Sequence, residues 1–119
     1  MGIYLTLIIT NHENEKSFLQ AGEVQERMRL VLDQDYEFFG YFEQVTYRPF
    51  PKYSGLVIWD DDGGLTSVKK DPMGNKLLYF LAGDFKGKRL PQRFSPMNRA
   101  AFAYLRALPE DFPVVLWWY

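Results

Sequence analysis

Two apolar runs, one near each end of the chain, constrain the fold more than any other feature. The first, Ile3 to Thr10, is broken only by threonines, and the second, Pro113 to Tyr119, is apolar throughout. Consecutive strand residues point to opposite faces of a sheet, so a run without polar alternation fits a strand covered on both sides. We predict a central strand over residues 3–10 and a protected strand over residues 113–119.

The length of the chain sets the scale of that fold. A chain of 119 residues has room for one domain, so we expect a single globular domain over residues 1–119. Folding should leave roughly 6,700 Å² of its surface exposed. With 47% hydrophobic and 24% charged residues, the composition is that of a globular protein.

The segment after the first run predicts a helix and then a bent strand. Between Asn14 and Leu32 the apolar residues follow helical spacing, at Ala21, Val24, Met28, Val31 and Leu32. This spacing predicts an amphipathic helix. Residues 36–47 are rich in aromatic side chains, which favours a strand, and Gly40 suggests a bulge or kink in it.

The rest of the chain contains clear turn and helix signals. Two prolines make residues 48–52 a loop, and residues 55–68 form a hairpin that turns at Asp60 to Gly64. A strand is predicted at 77–82 and a long loop or edge hairpin at 83–94. Ser95 and Pro96 are a favourable helix start, and Pro109 ends that helix.

These elements define the predicted fold class. Their order is β-α-β-β-β-β-α-β, which indicates an α+β domain. We expect a mostly antiparallel sheet with two helices packed on one face.

Several kinds of chemistry are excluded by composition. With no cysteine, the chain has no disulfide, thiolate metal ligand or cysteine nucleophile, which suits a reducing cytoplasm. The N-terminus lacks a basic signal-peptide region, and the apolar runs are too short to span a bilayer. We therefore expect a cytoplasmic location with no membrane partner.

Charge is distributed unevenly along the chain. Residues 1–62 carry a net charge of −6 and residues 63–119 a net charge of +5, within an overall charge of −1. If this asymmetry persists in the fold, an acidic and a basic region can each steer a partner. The alternative is that the two halves neutralise each other across one surface.

Two candidate reactive sites have simpler explanations. His12 is the single imidazole and could act as a general base, but a solvated loop histidine is favoured. The acidic turn Asp60 to Gly64 could attract a cation, but the spacing fails the EF-hand pattern, with Leu65 where glycine is required. A hairpin turn explains these residues better, so we predict no metal and no cofactor.

A basic segment leaves nucleic-acid binding open. Residues 86–93 contain four bases, and Phe94 follows them, so phosphate contact and base stacking are conceivable. No recognised nucleic-acid-binding motif accompanies the segment, and an overall pI near 5.8 argues against general affinity. A small nucleic-acid-binding accessory protein is the alternative function.

The aromatic surplus, 18% of residues, points to a binding surface. Aromatic side chains beside acidic groups are typical of protein-binding hot spots. The candidate partner-binding residues are Glu37, Tyr41, Glu43, Trp59, Asp60, Asp61 and Asp62.

The C-terminal segment, Asn98 to Tyr119 (NRAAFAYLRALPEDFPVVLWWY), together with the small size and the missing active site, resembles small bacterial immunity proteins of toxin–immunity pairs. The resemblance implies a cytoplasmic inhibitor that binds a cognate toxin domain, often a basic nuclease, and blocks its active site or substrate groove. It carries over no site residues.

The sequence therefore favours a binding protein over an enzyme. Acidic groups beside Tyr41 and Trp59 would mimic phosphate charge toward a basic partner. A small carboxylate-dependent enzyme is the third possibility, and it requires a pocket around His12 or a buried glutamate.

Overall fold

The structure, a computed structural model, describes residues 2–52 and 54–119. Within these residues seven strands form one sheet with the order β3-β6-β7-β1-β2-β4-β5. The strands are β1 (Leu5–Thr10), β2 (Glu23–Val31), β3 (Arg48–Pro49), β4 (Gly55–Trp59), β5 (Leu65–Val68), β6 (Leu78–Leu81) and β7 (Pro113–Trp118). Strand β4 runs parallel to β2, while the other neighbouring strands pair antiparallel. The sheet is therefore mixed.

Three α-helices accompany the sheet in the described residues: α1 (Glu15–Gln20), α2 (Tyr36–Glu43) and α3 (Pro96–Ala107). A 3-10 helix follows β6 over Ala82–Phe85. The fold is α+β, as predicted, and the exposed area is 6992 Å². No helix of residues 2–52 and 54–119 is long and apolar enough to cross a membrane.

The two apolar runs do form neighbouring strands inside the sheet. All six residues of β1 are buried, and β1 pairs with β2 on one side and β7 on the other. Leu5, Leu7 and Ile9 point to one core, while Ile8 points to a second core on the opposite face. The expectation of a central strand covered on both sides is confirmed.

We call the side of the sheet that carries α2 and α3 the helical face. Its core contains a group of phenylalanines whose rings contact one another. The centroid of the Phe85 ring lies 5.1 Å from that of Phe42, 5.1 Å from that of Phe80 and 5.4 Å from that of Phe102. These rings come from α2, β6, the 3-10 helix and α3. Of the two helices predicted to share one face, only the C-terminal helix lies here. Helix α1, which begins the segment predicted as the other helix, packs on the opposite face through Phe18, and α2 takes its place in a segment predicted as a strand.

We call the other side the hairpin face, because the sheet curls and the β4–β5 hairpin covers part of it together with α1. Phe18 of α1 and Leu56 of β4 pack against Ile8, Tyr79 and Val115. The antiparallel hairpin pairs Leu56 with Val68 and Trp59 with Leu65, as its turn residues predicted. One end of this face stays uncovered, and that end holds the candidate site.

The helix predicted over residues 14–32 is wrong. Helix α1 ends at Gln20, and residues 23–31 form β2. Val24 and Glu26 are buried while Glu23, Gln25 and Arg27 are exposed, so burial in the first half of this segment alternates as it does in a strand. The spacing from Val24 to Met28 fits either period, and hydrogen bonding to the distant strands β1 and β4 selects the strand.

The strand predicted over residues 36–47 is also wrong, because residues 36–43 form α2. The Asp35 carboxylate caps this helix by accepting a 3.1 Å hydrogen bond from the Phe38 N–H. Phe38, Phe39 and Phe42 then share one buried face. Tertiary burial of that face outweighs the strand preference of aromatic residues. The predicted element order is wrong at these two elements.

The remaining elements agree with their local signals. Helix α3 begins at Pro96, and the Ser95 side chain accepts a bond from the Asn98 N–H. The predicted loop at 48–52 includes the two-residue strand β3, whose Pro49 lies at the outer edge of the sheet, where a missing donor is tolerated. The long loop predicted at 83–94 opens with the 3-10 helix.

Candidate functional site

The candidate site is a cleft that opens where β4 separates from β2. The two strands pair in parallel from Glu23 and Gly55 to Gln25 and Val57. Beyond Val57 strand β4 continues as the hairpin with β5, and a cleft of about 560 Å³ lies between the hairpin tip and the sheet. Its lining residues are Thr6, Arg29, Val31, Ile58, Trp59, Asp60, Asp61, Pro72, Trp117 and Tyr119.

The floor of the cleft is formed by side chains on the hairpin face of the three adjacent strands. Thr6 is registered with Val31 of β2 and with Trp117 of β7, so the three side chains point the same way. Val31 is 58% exposed and Trp117 is 6% exposed. The cleft therefore presents apolar surface to solvent above a tightly packed tryptophan.

Arg29 brings a positive charge into this floor. Its guanidinium lies over the Trp117 ring, 5.6 Å from the centroid, and pairs with the carboxylate of Glu26. Glu26 is buried, and a buried carboxylate requires such a partner. Because Arg29 is held by both contacts, it stiffens the floor of the cleft.

Trp59 and the acidic turn form the rim. Trp59 is 56% exposed, which is unusual for the largest apolar side chain. Asp61 and Asp62, on the turn that follows it, are exposed and make no ion pair within residues 2–52 and 54–119. A large aromatic surface therefore stands beside two free negative charges.

Asp60 has a different role from its two neighbours. Its carboxylate accepts hydrogen bonds from the Thr66 hydroxyl at 2.8 Å, the Gly64 N–H at 2.9 Å and the Asp62 N–H at 3.0 Å. The bond from Thr66 and then that from Gly64 lower the pKa of Asp60 below its ordinary value, because they stabilise the charged form. Asp60 therefore holds the turn that presents Trp59, Asp61 and Asp62.

The other predicted binding residues lie elsewhere. Glu37, Tyr41 and Glu43 belong to α2 on the helical face, across the sheet from the cleft. Glu37 is paired with Arg93, and Tyr41 is half-buried, with its ring 5.8 Å from that of Phe94. The structure thus divides the predicted binding residues between two surfaces.

His12 has a partner that the sequence did not indicate. Its Nδ1 lies 3.2 Å from the Ser17 Oγ, and that hydroxyl in turn lies 3.2 Å from the Asn14 carbonyl oxygen, to which it donates. The Asn14 carbonyl oxygen can only accept, so the Ser17 hydroxyl donates to it while the imidazole Nδ1 bonds to the hydroxyl oxygen. The pair fastens the start of α1.

A second polar cluster, also missed by the sequence patterns, joins four elements. The Tyr79 hydroxyl donates to the Glu15 carboxylate at 2.9 Å. Arg48 lies 3.5 Å from Glu15 and 3.2 Å from Asp84. Burial first, and then Glu15, raises the pKa of Tyr79 to about 12. The cluster ties α1 and β3 to β6 and the 3-10 helix.

The basic segment is partly neutralised in the fold. Lys86 lies 3.1 Å from the Glu110 carboxylate, and Arg93 pairs with Glu37. These contacts leave less free positive charge for a phosphate backbone than the sequence suggests.

Across the described ranges, no group of three His, Asp or Glu side chains is placed to hold a metal ion.

Sequence patterns located the rim of the cleft but missed its floor. Trp59 and the acidic turn were predicted, whereas Arg29, Val31, Trp117 and Tyr119 line the cleft without having been singled out for it. The alternation of Arg29 and Val31 along a strand was the available sequence signal for the floor.

No protein-family model, curated protein or solved structure matches this chain.

Proposed function

We propose that this protein is an immunity-type inhibitor, which binds and neutralises a cognate toxin domain and acts by binding rather than by catalysis. The observation that carries the proposal is the exposed Trp59, held beside an apolar cleft and two free carboxylates. The lack of cysteine fits action in a reducing cytoplasm.

Trp59 and the cleft supply the affinity in this proposal. Hot spots of protein interfaces are enriched in tryptophan, tyrosine and arginine, and they lie beside pockets that lose water on binding. The cleft brings together Trp59, Tyr119 and the preorganised Arg29. A partner side chain that enters the cleft buries the exposed apolar surface of Trp59 and Val31, which favours a slow dissociation rate.

Asp61 and Asp62 supply the steering. Two adjacent exposed carboxylates on a protruding turn attract a basic surface, such as the phosphate-binding groove of a nuclease. The α2 residues Glu37, Tyr41 and Glu43 remain candidates for a second contact area, since they lie on the other face of the sheet. The primary surface is therefore the hairpin tip with the cleft.

The test uses as its probe a toxin domain co-encoded with this chain, identified from the open reading frames next to it. Trp59→Ala should weaken binding by about 30-fold, equivalent to about 2 kcal/mol, mainly through faster dissociation. The double variant Asp61→Asn, Asp62→Asn should slow association by about tenfold at low salt and flatten its salt dependence. Surface plasmon resonance at several salt concentrations measures both rates.

Leu19→Ala is the control, because Leu19 is a large apolar residue of similar exposure, 49%, on α1 and belongs neither to the cleft lining nor to α2. The control should leave the association and dissociation rates unchanged. In cells that express the toxin domain, it should also restore growth as well as the natural chain does. Unchanged binding in both cleft variants, or no binding by the natural chain, rejects the proposal.

A further inference from the structure

Strand β2 has an open side next to the cleft. Its nine residues pair with β1 from Glu26 to Val31, whereas β4 covers the opposite side from Glu23 to Gln25. Among the described residues, no strand lies against that opposite side between Arg27 and Val31. Part of an otherwise internal strand is therefore an edge.

The direction of the backbone groups at this edge follows from the register. Tyr4 and Tyr119 exchange N–H to carbonyl bonds of 2.8 and 3.0 Å, and hydrogen-bonded residues alternate along an antiparallel pair. Leu7 and Ile9 therefore turn their backbone groups toward β2, where they face Leu30 and Met28.

The intervening residues of β2, Arg29 and Val31, turn their N–H and C=O groups the other way. These groups point to the open side of the strand, next to the place where β4 has departed. Two residues with outward N–H and C=O groups are the repeating unit to which an extended chain pairs when it adds to a sheet.

A second cleft lies on the helical face of the same edge. It has a volume of about 420 Å³ and is lined by Leu30, Met97, Ala100, Ala101 and Tyr104, with Arg29 and Val31 lining both clefts. Met97 is 60% exposed. The edge of β2 is thus the wall between one cleft on each face of the sheet.

Alternate side chains of an added strand would enter the two clefts in turn, because successive residues point to opposite faces. We propose that β2 binds an extended segment of the partner protein by strand addition at Arg29 and Val31. Residues i and i+2 of the segment enter the cleft beside Trp59, and residue i+1 enters the cleft beside Met97 and Tyr104. This inference rests on the proposed inhibitor function and identifies how the partner is held.

The chemistry of the segment follows from the two linings. Asp60, Asp61 and the Trp59 ring line the first cleft, which favours lysine or arginine through charge and cation–π contact. Arg29 does not oppose this, since it is already paired with Glu26. The second cleft is lined by Met97, Ala100 and Tyr104 and favours an apolar residue.

A single segment fits this place better than a second copy of the chain. Strand β4 closes the open side at Gln25, so the space is a wedge. A second copy would bring its own β4–β5 hairpin and α3 alongside its β2. One extended strand carries no such flanking elements.

The probe for the test is a capped seven-residue peptide of alternating lysine and leucine, titrated into the 15N-labelled full chain. The Arg29 and Val31 amide signals should shift and become protected from hydrogen exchange. Two matched peptides carry backbone N-methyl groups, one on its lysines and the other on its leucines. Strand addition turns one set of amides to β2 and the other to solvent, so one methylated peptide should lose at least tenfold in affinity while the other stays within about threefold.

Variants of the chain test the same edge with the toxin domain. Val31→Pro removes an outward N–H without removing a bond to β1, and Ala100→Arg fills the second cleft. Each should weaken toxin binding at least tenfold. Ala103→Arg is the control, because Ala103 is an exposed residue of α3 outside the cleft lining. It should leave toxin binding unchanged. Circular dichroism establishes whether each variant is folded. If Val31→Pro does not fold, Ala100→Arg alone tests the proposal.

The outcomes separate the inference from the function. If Trp59→Ala abolishes neutralisation while Val31→Pro and Ala100→Arg bind normally, strand addition is wrong and the inhibitor function stands. Equal effects of the two methylated peptides, or unshifted Arg29 and Val31 amides, also overturn strand addition. Sedimentation showing a dimer that Val31→Pro dissociates would assign the edge to a second copy instead. If no variant affects toxin binding, both proposals fail.

Discussion

At the scale of single residues, position in the fold separates side chains that look alike in the sequence. Asp60, Asp61 and Asp62 are adjacent, yet Asp60 accepts three hydrogen bonds within its turn while its two neighbours are exposed. Asn98 offers a second example. It is fully buried, and its side chain accepts a 2.7 Å bond from the Asp33 N–H and donates one of 3.1 Å to the Asp33 carbonyl. A buried amide satisfied in this way fastens α3 to the chain entering α2.

Tyr79 should make stability depend on alkaline pH. Its pKa is raised from 10.0 to about 12 by burial and by the Glu15 carboxylate, so the folded state favours the neutral phenol. The stabilisation is fully present below pH 10 and is lost as the pH rises toward 12. The free energy of unfolding of the natural chain should therefore fall between pH 10 and 12. In Tyr79→Phe this fall should be smaller by about 2 kcal/mol. Urea unfolding between pH 8 and 12 measures it.

The control for this effect is Tyr104→Phe, a half-buried tyrosine of α3, which should keep the natural pH dependence. Tyr47, whose pKa is also raised by burial, adds its own loss of stability from pH 10 upward, and this loss is the same in every variant. An identical alkaline slope in Tyr79→Phe and the natural chain would contradict the assignment.

At the scale of elements, α2 and β2 show how distant contacts override local preference. Five of the eight residues of α2 are aromatic, which favours a strand. Asp35 nevertheless caps a helix whose three phenylalanines enter the core of the helical face. The segment of β2 carries helical spacing but adds to β1 and β4. In both cases the free energy gained by burying apolar surface against remote residues exceeds the small differences in helix and strand propensity.

Removal of the α2 cap should have a measurable cost. Asp35→Ala leaves the Phe38 N–H without its side-chain acceptor and should reduce the free energy of unfolding by about 1 kcal/mol. Asp33→Ala is the matched control, because Asp33 is exposed and contacts Asn98 through its backbone. Urea denaturation in which both variants lose equal stability would show that the cap is unimportant.

At the scale of the whole molecule, two cores on opposite faces of one curled sheet hold the fold together. The helical-face core joins α2, α3 and the 3-10 helix, and the hairpin-face core joins α1 and the β4–β5 hairpin. The charge asymmetry of the sequence is bridged in places, since Arg93 pairs with Glu37 and Arg48 with Asp84. Asp61 and Asp62 keep their charge free at the hairpin tip.

Phe85 should be a critical residue of the whole fold. Its ring contacts Phe42, Phe80 and Phe102, so it connects α2, β6 and α3. Phe85→Ala should reduce the free energy of unfolding by about 3–5 kcal/mol, through lost transfer energy and the cavity left behind. Leu65→Ala, at an exposed site, should change it by less than about 0.5 kcal/mol. Calorimetry in which the two variants unfold at the same temperature would refute this role.

The sequence alone determined the features that depend on neighbouring residues. These features are the Asp60–Gly64 hairpin turn, the Ser95 and Pro96 helix start and the two strands without polar alternation. They follow from turn chemistry, capping and burial on both faces. From these, the α+β class and the acidic rim beside Trp59 were predictable. They need no knowledge of what lies across the sheet.

Tertiary structure decided the rest. Whether residues 23–31 and 36–43 became strand or helix, which face α2 occupies, and where β4 separates from β2 all depend on pairing and packing between distant segments. The cleft and the open edge at Arg29 and Val31 exist because β4 leaves β2 after Val57 while it stays paired with β5. Such non-local contacts leave at most an ambiguous periodic signal in the chain, since their energy comes from surfaces that meet after folding.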